Sequence, residues 1–163
     1  MATTYPVLIV TFAREKGLER LICAGIDSGI KRIYIAIDGP LTDEHRSSQK
    51  RMHDYIARFR EVPDIEIFVW QRSENLGAAV GVLTAIDWFF SNEKAGFILE
   101  DDLIPSPDFF TFANKALDFY ENNEDVWLIS GSRMVQPSFH KSSSDWSRYP
   151  MIWGWATWGT KWL

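Results

Sequence analysis

Gly96-Phe97-Ile98-Leu99-Glu100-Asp101-Asp102-Leu103-Ile104-Pro105-Ser106-Pro107-Asp108 holds the end of a strand, an acidic turn and the start of a helix in one short stretch. The apolar run closes a strand over Ala95 to Leu99. Ser106 is an N-cap residue, Pro107 suits the first helical position, and Asp108 lies against the positive end of the helix dipole. The helix is expected to run to about Tyr120. Between strand and helix stand three consecutive carboxylates, which repel one another and for which a buried strand has no use, so a cation is expected to gather there. A divalent metal is the simplest candidate. An acidic loop eased by the following dipole fits less well, because the carboxylates precede the N-cap, on the strand side.

Working outward, the chain repeats this strand-then-helix unit. Pro6 to Ala13 begins with Val7-Leu8-Ile9-Val10, a continuous apolar run of the kind found in a strand buried on both faces, and is expected to be the first, central strand. Lys16 to Ser28 carries Leu18, Leu21, Ile22 and Ile26 at helical spacing, closed by Gly29. Arg32 to Ile37 and Ile65 to Trp70 read as strands. Thr42 to Phe59 reads as a helix with Thr42 as N-cap and an apolar face of Met52, Tyr55, Ile56 and Phe59. Leu76 to Asn92 reads as a further helix, Val126 to Ser130 as a fifth strand, and the polar stretch Gln136 to Tyr149 as a loop. Such a run of βα units predicts one α/β domain over residues 1–163: a Rossmann-like, mostly parallel sheet with helices on both faces and ligands at the carboxyl ends of the strands.

That rule gathers scattered residues into one crevice. Thr11, Phe12, Ala13 and Arg14 follow the first strand, Asp38-Gly39-Pro40 the second, Arg72 to Gly77 the third, and Glu100 to Asp102 the fourth. Taken singly, Asp38-Gly39 is also a common turn, Arg14 also a solvated charge, and Asn75-Leu76-Gly77 also a loop opening a helix.

Composition narrows the chemistry. The chain has 163 residues, 46% of them hydrophobic, with eight Trp and eleven Phe, rings that serve a core or a sugar-stacking surface. A net charge of −5 with dispersed Lys and Arg argues against nucleic acid. Cys23 is alone, which excludes an internal disulfide and a cysteine metal cage and points to a reducing cytoplasm. No apolar run approaches the roughly 20 residues of a membrane span, and the start lacks a signal-peptide pattern. There is no GxxxxGK(S/T) and no GxGxxG, Ser130-Gly131-Ser132 is not a nucleophile elbow, and His45, His53 and His140 lack zinc spacing and are expected at the surface. What remains is a hard-cation site of oxygen ligands near an arginine and an aspartate. Mn²⁺ or Mg²⁺ binds through one or two carboxylates and lets substrate phosphates complete its shell, so a diphosphate substrate is implied.

The segment Ile98 to Phe110, with Asp125-Val126-Trp127-Leu128-Ile129-Ser130 and Trp153-Gly154-Trp155 followed by Trp158, resembles the GT-A fold nucleotide-sugar glycosyltransferases. The likeness spans most of the chain and is nearest to the alpha-mannoside beta-1,2-N-acetylglucosaminyltransferase family and its bacterial relatives. The resemblance implies a metal-dependent, inverting transfer of a sugar from a UDP-sugar to a hydroxyl of a glycan or other acceptor. It implies that Asp102 binds Mn²⁺ (or Mg²⁺) directly, that Glu100 lies near the ribose and Asp101 near a sugar hydroxyl, that Asp38 reads the uracil and that Arg14 meets the diphosphate. Thr11, Ala13 and Asn75 complete the expected donor-binding set. One departure stands out: where the family places a histidine against the base, this chain has Arg72-Ser73-Glu74-Asn75.

Inversion requires a general base near the acceptor hydroxyl. In the resembled enzymes it is an aspartate beyond the Trp-Gly-Trp element, and the sequence here stops at Leu163. Asp145 is better read as a polar loop position. The expectation is therefore the donor-binding portion of a longer transferase, whose aromatic stretch Trp153 to Trp162 needs a covering partner or further chain. A non-catalytic nucleotide-sugar or glycan-binding module is the alternative. A nucleotidyltransferase is a weaker third reading, because Thr11 to Gly17 is a poor version of the Gly-rich basic loop that such enzymes open with.

Overall fold

The run Val7-Leu8-Ile9-Val10 becomes β1 (Val7–Thr11), which lies inside the sheet with parallel neighbours on both edges, β2 (Arg32–Ile37) and β4 (Ala95–Glu100). The computed structural model describes residues 4–132 and 144–162. Beyond β2 lies β3 (Glu66–Gln71), again parallel. On the other side β4 pairs antiparallel with β6 (Trp155–Trp158), and β6 pairs antiparallel with β5 (Ile129–Ser130). The result is an α/β fold on a six-stranded, mostly parallel mixed sheet of order β3-β2-β1-β4-β6-β5.

Alternation along the strands assigns the helices to faces. Val7, Ile9, Ile33, Ile35, Phe97 and Leu99 point to one side, where they pack with Leu18, Leu21 and Ile22 of α1 (Glu15–Asp27), Met52 and Ile56 of α2 (Asp43–Phe59), and Phe109, Phe110 and Leu117 of α4 (Pro107–Tyr120). Leu8, Tyr34, Ala36 and Ile98 point to the other, against Ile86, Phe89 and Phe90 of α3 (Gly77–Phe90). Both faces are thus covered, as a parallel sheet requires. The caps read from sequence are present: Thr42 accepts from the His45 N–H, Ser106 accepts from the Phe109 N–H with Pro107 leading the helix, and Gly29 follows α1 at φ +82°.

Three expectations need correction. Glu100 is the last residue of β4, facing Val10 of β1, so the acidic triplet begins inside the strand rather than after it. The fifth strand is shorter than Val126 to Ser130, because neighbouring side chains take the carbonyls ahead of it: the Thr157 hydroxyl donates to Trp127 O at 2.6 Å and the Lys161 ammonium donates to Val126 O. The aromatic stretch supplies its own cover in part. Trp155 and Trp158 are buried in β6, and Trp162 of α5 (Gly159–Trp162) packs on Trp155 and donates its indole N–H to Asp87 at 2.7 Å. Of the stretch Gln136 to Tyr149 read as a loop, residues 144–149 carry neither helix nor strand, and 136–143 lie outside the described residues.

Candidate functional site

The four parallel strands end on one side of the sheet, and the segments that follow them converge there. A cleft of about 370 Å³ is lined by Thr11, Phe12, Ala13 and Arg14, by Asp38, by Arg72, Asn75 and Gly77, and by Glu100 and Asp101. Asp102 lies on the far side of Arg14, in an adjoining depression of about 490 Å³ that also takes Lys16, Gly17, Arg20 and Tyr55. Arg14 and Asp101 belong to both, so the expected crevice is two hollows with a shared wall.

Asp101 builds that wall. Its buried carboxylate accepts from the Thr11 hydroxyl at 2.7 Å and the Phe12 N–H at 3.2 Å through one oxygen, and from Arg14 Nη1 at 3.0 Å through the other. These bonds tie the end of β4 to the turn after β1. Gly17 permits the close approach: a Cβ there would lie 1.9 Å from the Asp101 carbonyl oxygen. The Ala13 carbonyl accepts from Ser48 at 2.8 Å, which ties the same turn to α2.

The other two acids stand differently. Asp102 is exposed and pairs with Arg14 Nη1 at 3.2 Å. Among the described residues none donates a hydrogen bond to the half-buried Glu100 carboxylate, and burial, then the negative charges of Asp102 and Asp101, push its pKa up. The Arg14 pKa is raised in turn, mainly by Asp101. Arg14 thus pairs with two of the three carboxylates and Glu100 has no ion pair among the described residues, an excess of negative charge that a divalent cation would relieve. No group of three or more His, Cys, Asp or Glu side chains among the described residues forms a cage for a metal. The donor set fits the mode in which one exposed carboxylate, Asp102, anchors a hard cation and phosphate oxygens supply further ligands.

At the other end of the cleft, Asp38 caps a helix from a distant loop. Leu76 offers α3 no side-chain cap, and the Asp38 carboxylate instead accepts from the Leu76 and Gly77 N–H groups at 3.0 to 3.2 Å, where the helix dipole favours an anion. Gly77 takes φ +73° to present its N–H. Asn75 donates to the Gly39 carbonyl at 2.9 Å and accepts from the Gly77 N–H at 3.1 Å, and Gly39 packs so tightly on Glu74 that an added Cβ would be 2.2 Å from its carbonyl carbon. The loops after β2 and β3 are thus tied together.

Arg72 had no assigned role in the sequence reading, and it lies at the centre of this end. Its side chain is buried, donates to Gly81 O and to the Thr84 hydroxyl through Nη2, stacks over Trp70 at 4.2 Å, and approaches Asp38 at 3.9 Å. Among the described residues Nε and Nη1 have no hydrogen-bond partner, and burial lowers the pKa. His45 was expected at the surface. It is half-buried instead, its ring 4.6 Å from that of Phe12, with Nδ1 enclosed and without a hydrogen-bond partner among the described residues. His53 is exposed as expected, and His140 lies outside the described residues. Local sequence carries no signal for either placement, since both depend on contacts with other elements of the fold.

No helix among the described residues is long and apolar enough to cross a membrane. The chain matches no protein-family model and no curated protein.

Proposed function

We propose that this chain is the donor-binding portion of a metal-dependent glycosyltransferase of the GT-A kind, which takes a nucleoside-diphosphate sugar, UDP-linked by the resemblance, and passes the sugar to a hydroxyl acceptor with inversion. The observation that carries this reading is the convergence of four strand-end segments on one cleft, with Glu100 and Asp101 on its wall and Asp102 in the adjoining depression. Mn²⁺ or Mg²⁺, held by Asp102, would supply charge neutralisation for the departing diphosphate.

The chain's own residues do the rest. Asp38, fixed by two backbone N–H groups, lines the cleft and in this reading would use a remaining lone pair to accept from the imide N–H of the base. Arg14 stands between cleft and depression, where its guanidinium can take phosphate oxygens. Asp101 has both oxygens engaged and acts by holding Arg14 and the turn after β1 in place. Glu100 lines the cleft, accepts no hydrogen bond from the described residues, and would accept from a sugar or ribose hydroxyl.

Calorimetry with UDP, UDP-GlcNAc, UDP-Gal and GDP-mannose, with and without Mn²⁺, tests this on wild type and Asp102→Ala. Metal-dependent UDP binding that Asp102→Ala abolishes is expected. UDP binding with unchanged metal dependence in the variant would overturn the assignment. Metal-dependent binding with neither transfer nor hydrolysis in a coupled assay would favour a binding module.

A further inference from the structure

We infer that Arg14 is the resident counter-cation of the acidic triplet: it occupies Asp102 in the free protein and hands it over when a divalent cation arrives together with a diphosphate. The inference rests on the nucleotide-sugar reading above. Its basis is that one nitrogen, Nη1, bridges two carboxylates, Asp101 Oδ1 at 3.0 Å and Asp102 Oδ2 at 3.2 Å.

The two ends of this bridge are unequal. The Asp101 side chain is 9% exposed and is also held by Thr11 and Phe12, whereas Asp102 is 60% exposed and solvent screens its attraction. Arg14 therefore stays on Asp101 and can release Asp102. A hard cation needs oxygen ligands, and Arg14 offers only N–H donors and a charge of the same sign. With Nη1 within hydrogen-bonding distance of Asp102, a metal and Arg14 compete for that carboxylate.

A diphosphate resolves the competition. Its anionic oxygens would serve both as metal ligands and as acceptors for the guanidinium, drawing Arg14 off Asp102 while Asp101 keeps its bond to Nη1. Metal and diphosphate then bind cooperatively, and the coupling is reciprocal: each raises the affinity of the other by the same factor. Gly17 supports the device, because its contact with the Asp101 carbonyl fixes the anchored end.

The test is titration of Mn²⁺ followed by the electron paramagnetic resonance signal of the free ion, on wild type, Arg14→Gln and Lys16→Gln, with and without UDP. Lys16 lines the same depression and makes no ion pair with the triplet among the described residues, so it is the matched control for charge alone. Removing a unit charge beside a divalent ion should tighten Mn²⁺ binding without nucleotide by about tenfold in Arg14→Gln, and little in Lys16→Gln. UDP should tighten Mn²⁺ binding in wild type by a larger factor than in Arg14→Gln, and adding Asp102→Ala to Arg14→Gln should erase the gain.

A gain of affinity is not mimicked by a misfolded variant. Mn²⁺ affinity in Arg14→Gln equal to or below wild type would overturn the inference, as would an equal gain in Lys16→Gln. If Arg14→Gln tightens Mn²⁺ while UDP changes nothing in either protein, the nucleotide reading and the handover fall together, and only competition for Asp102 remains. If UDP tightens Mn²⁺ equally in both proteins, the nucleotide reading stands and the handover alone falls.

Discussion

Replacing Gly17 with alanine asks whether the acidic wall is held by a backbone-to-backbone contact. In a helix this change ordinarily stabilises by about 1 kcal/mol, because alanine loses less freedom on folding. At Gly17 the new Cβ would sit 1.9 Å from the Asp101 carbonyl oxygen and 3.0 Å from its carbonyl carbon. Neither is the movable end of a side chain, so α1 and the end of β4 must part by about 1.5 Å to restore an ordinary contact, the kind of backbone shift that overpacking forces. Such overpacking costs about 1 to 3 kcal/mol, and a rigid backbone contact belongs at the upper end. Subtracting the propensity gain leaves a loss of about 2 kcal/mol, or about 4 to 8 °C in Tm for a chain of this size. Gly25, on the same helix, is the internal control: its Cβ would meet Ile30 and Val7 at 3.6 to 3.9 Å, ordinary contact distances. Gly25→Ala should be neutral or more stable by up to about 1 kcal/mol. Urea denaturation of the three proteins reads both signs from the midpoints. A stabilised Gly17→Ala, or the same sign for both variants, would refute the reasoning. Because the clash displaces Asp101, Gly17→Ala should also weaken Mn²⁺-dependent UDP binding, which Gly25→Ala should leave intact.

Asp38→Asn should destabilise by about 1 to 3 kcal/mol, since it removes the anion at the start of α3 and strands the buried Arg72 guanidinium. In a double-mutant cycle by urea denaturation, adding Arg72→Met should recover part of that loss, whereas additive losses would show that the pair does not interact. Glu100 titrates above its ordinary 4.5 because burial and its acidic neighbours disfavour the charge. In the window between its unfolded and folded values the native state binds the proton more tightly, so stability is full below the window and falls as pH rises through it. Glu100→Gln should flatten that fall and leave the free protein more stable at neutral pH in thermal melts; a variant less stable than wild type there would contradict the electrostatic account.

Much of this arrangement is local and therefore legible in the residues. The run Val7 to Val10 has the pattern of a strand covered on both faces, Thr42 and Ser106-Pro107 open helices by side-chain bonds three residues long, and parallel βα order sends the ends of the first four strands to the same side. What escaped depends on partners far away in sequence. The four residues of β6 owe their place to pairing with Ala95 to Ile98, and the pairing of Thr157 and Lys161 with carbonyls about 30 residues earlier shortens β5. Arg72 follows an edge strand, where an arginine is ordinarily solvated; it is buried because Trp70, Asp38 and Gly81 surround it.

The triplet shows how far local reasoning extends. Strand alternation continues past Leu99 for one residue, so Glu100 follows Ile98 toward the α3 side and lines the cleft, while Asp102, beyond the end of β4, lies in the depression beside α1. Asp101 is left at the divide. There its carboxylate lies within reach of the turn after β1, and Thr11, Phe12 and Arg14 claim both of its oxygens. Three adjacent identical charges thereby acquire different duties from one geometric fact, the strand's end, which leaves one carboxylate for the cleft, one for the scaffold and one exposed to solvent. Of the two that hold Arg14, only the exposed one can exchange its counter-ion without loosening the turn after β1, and for that reason the cation is proposed to sit on Asp102 rather than on Asp101.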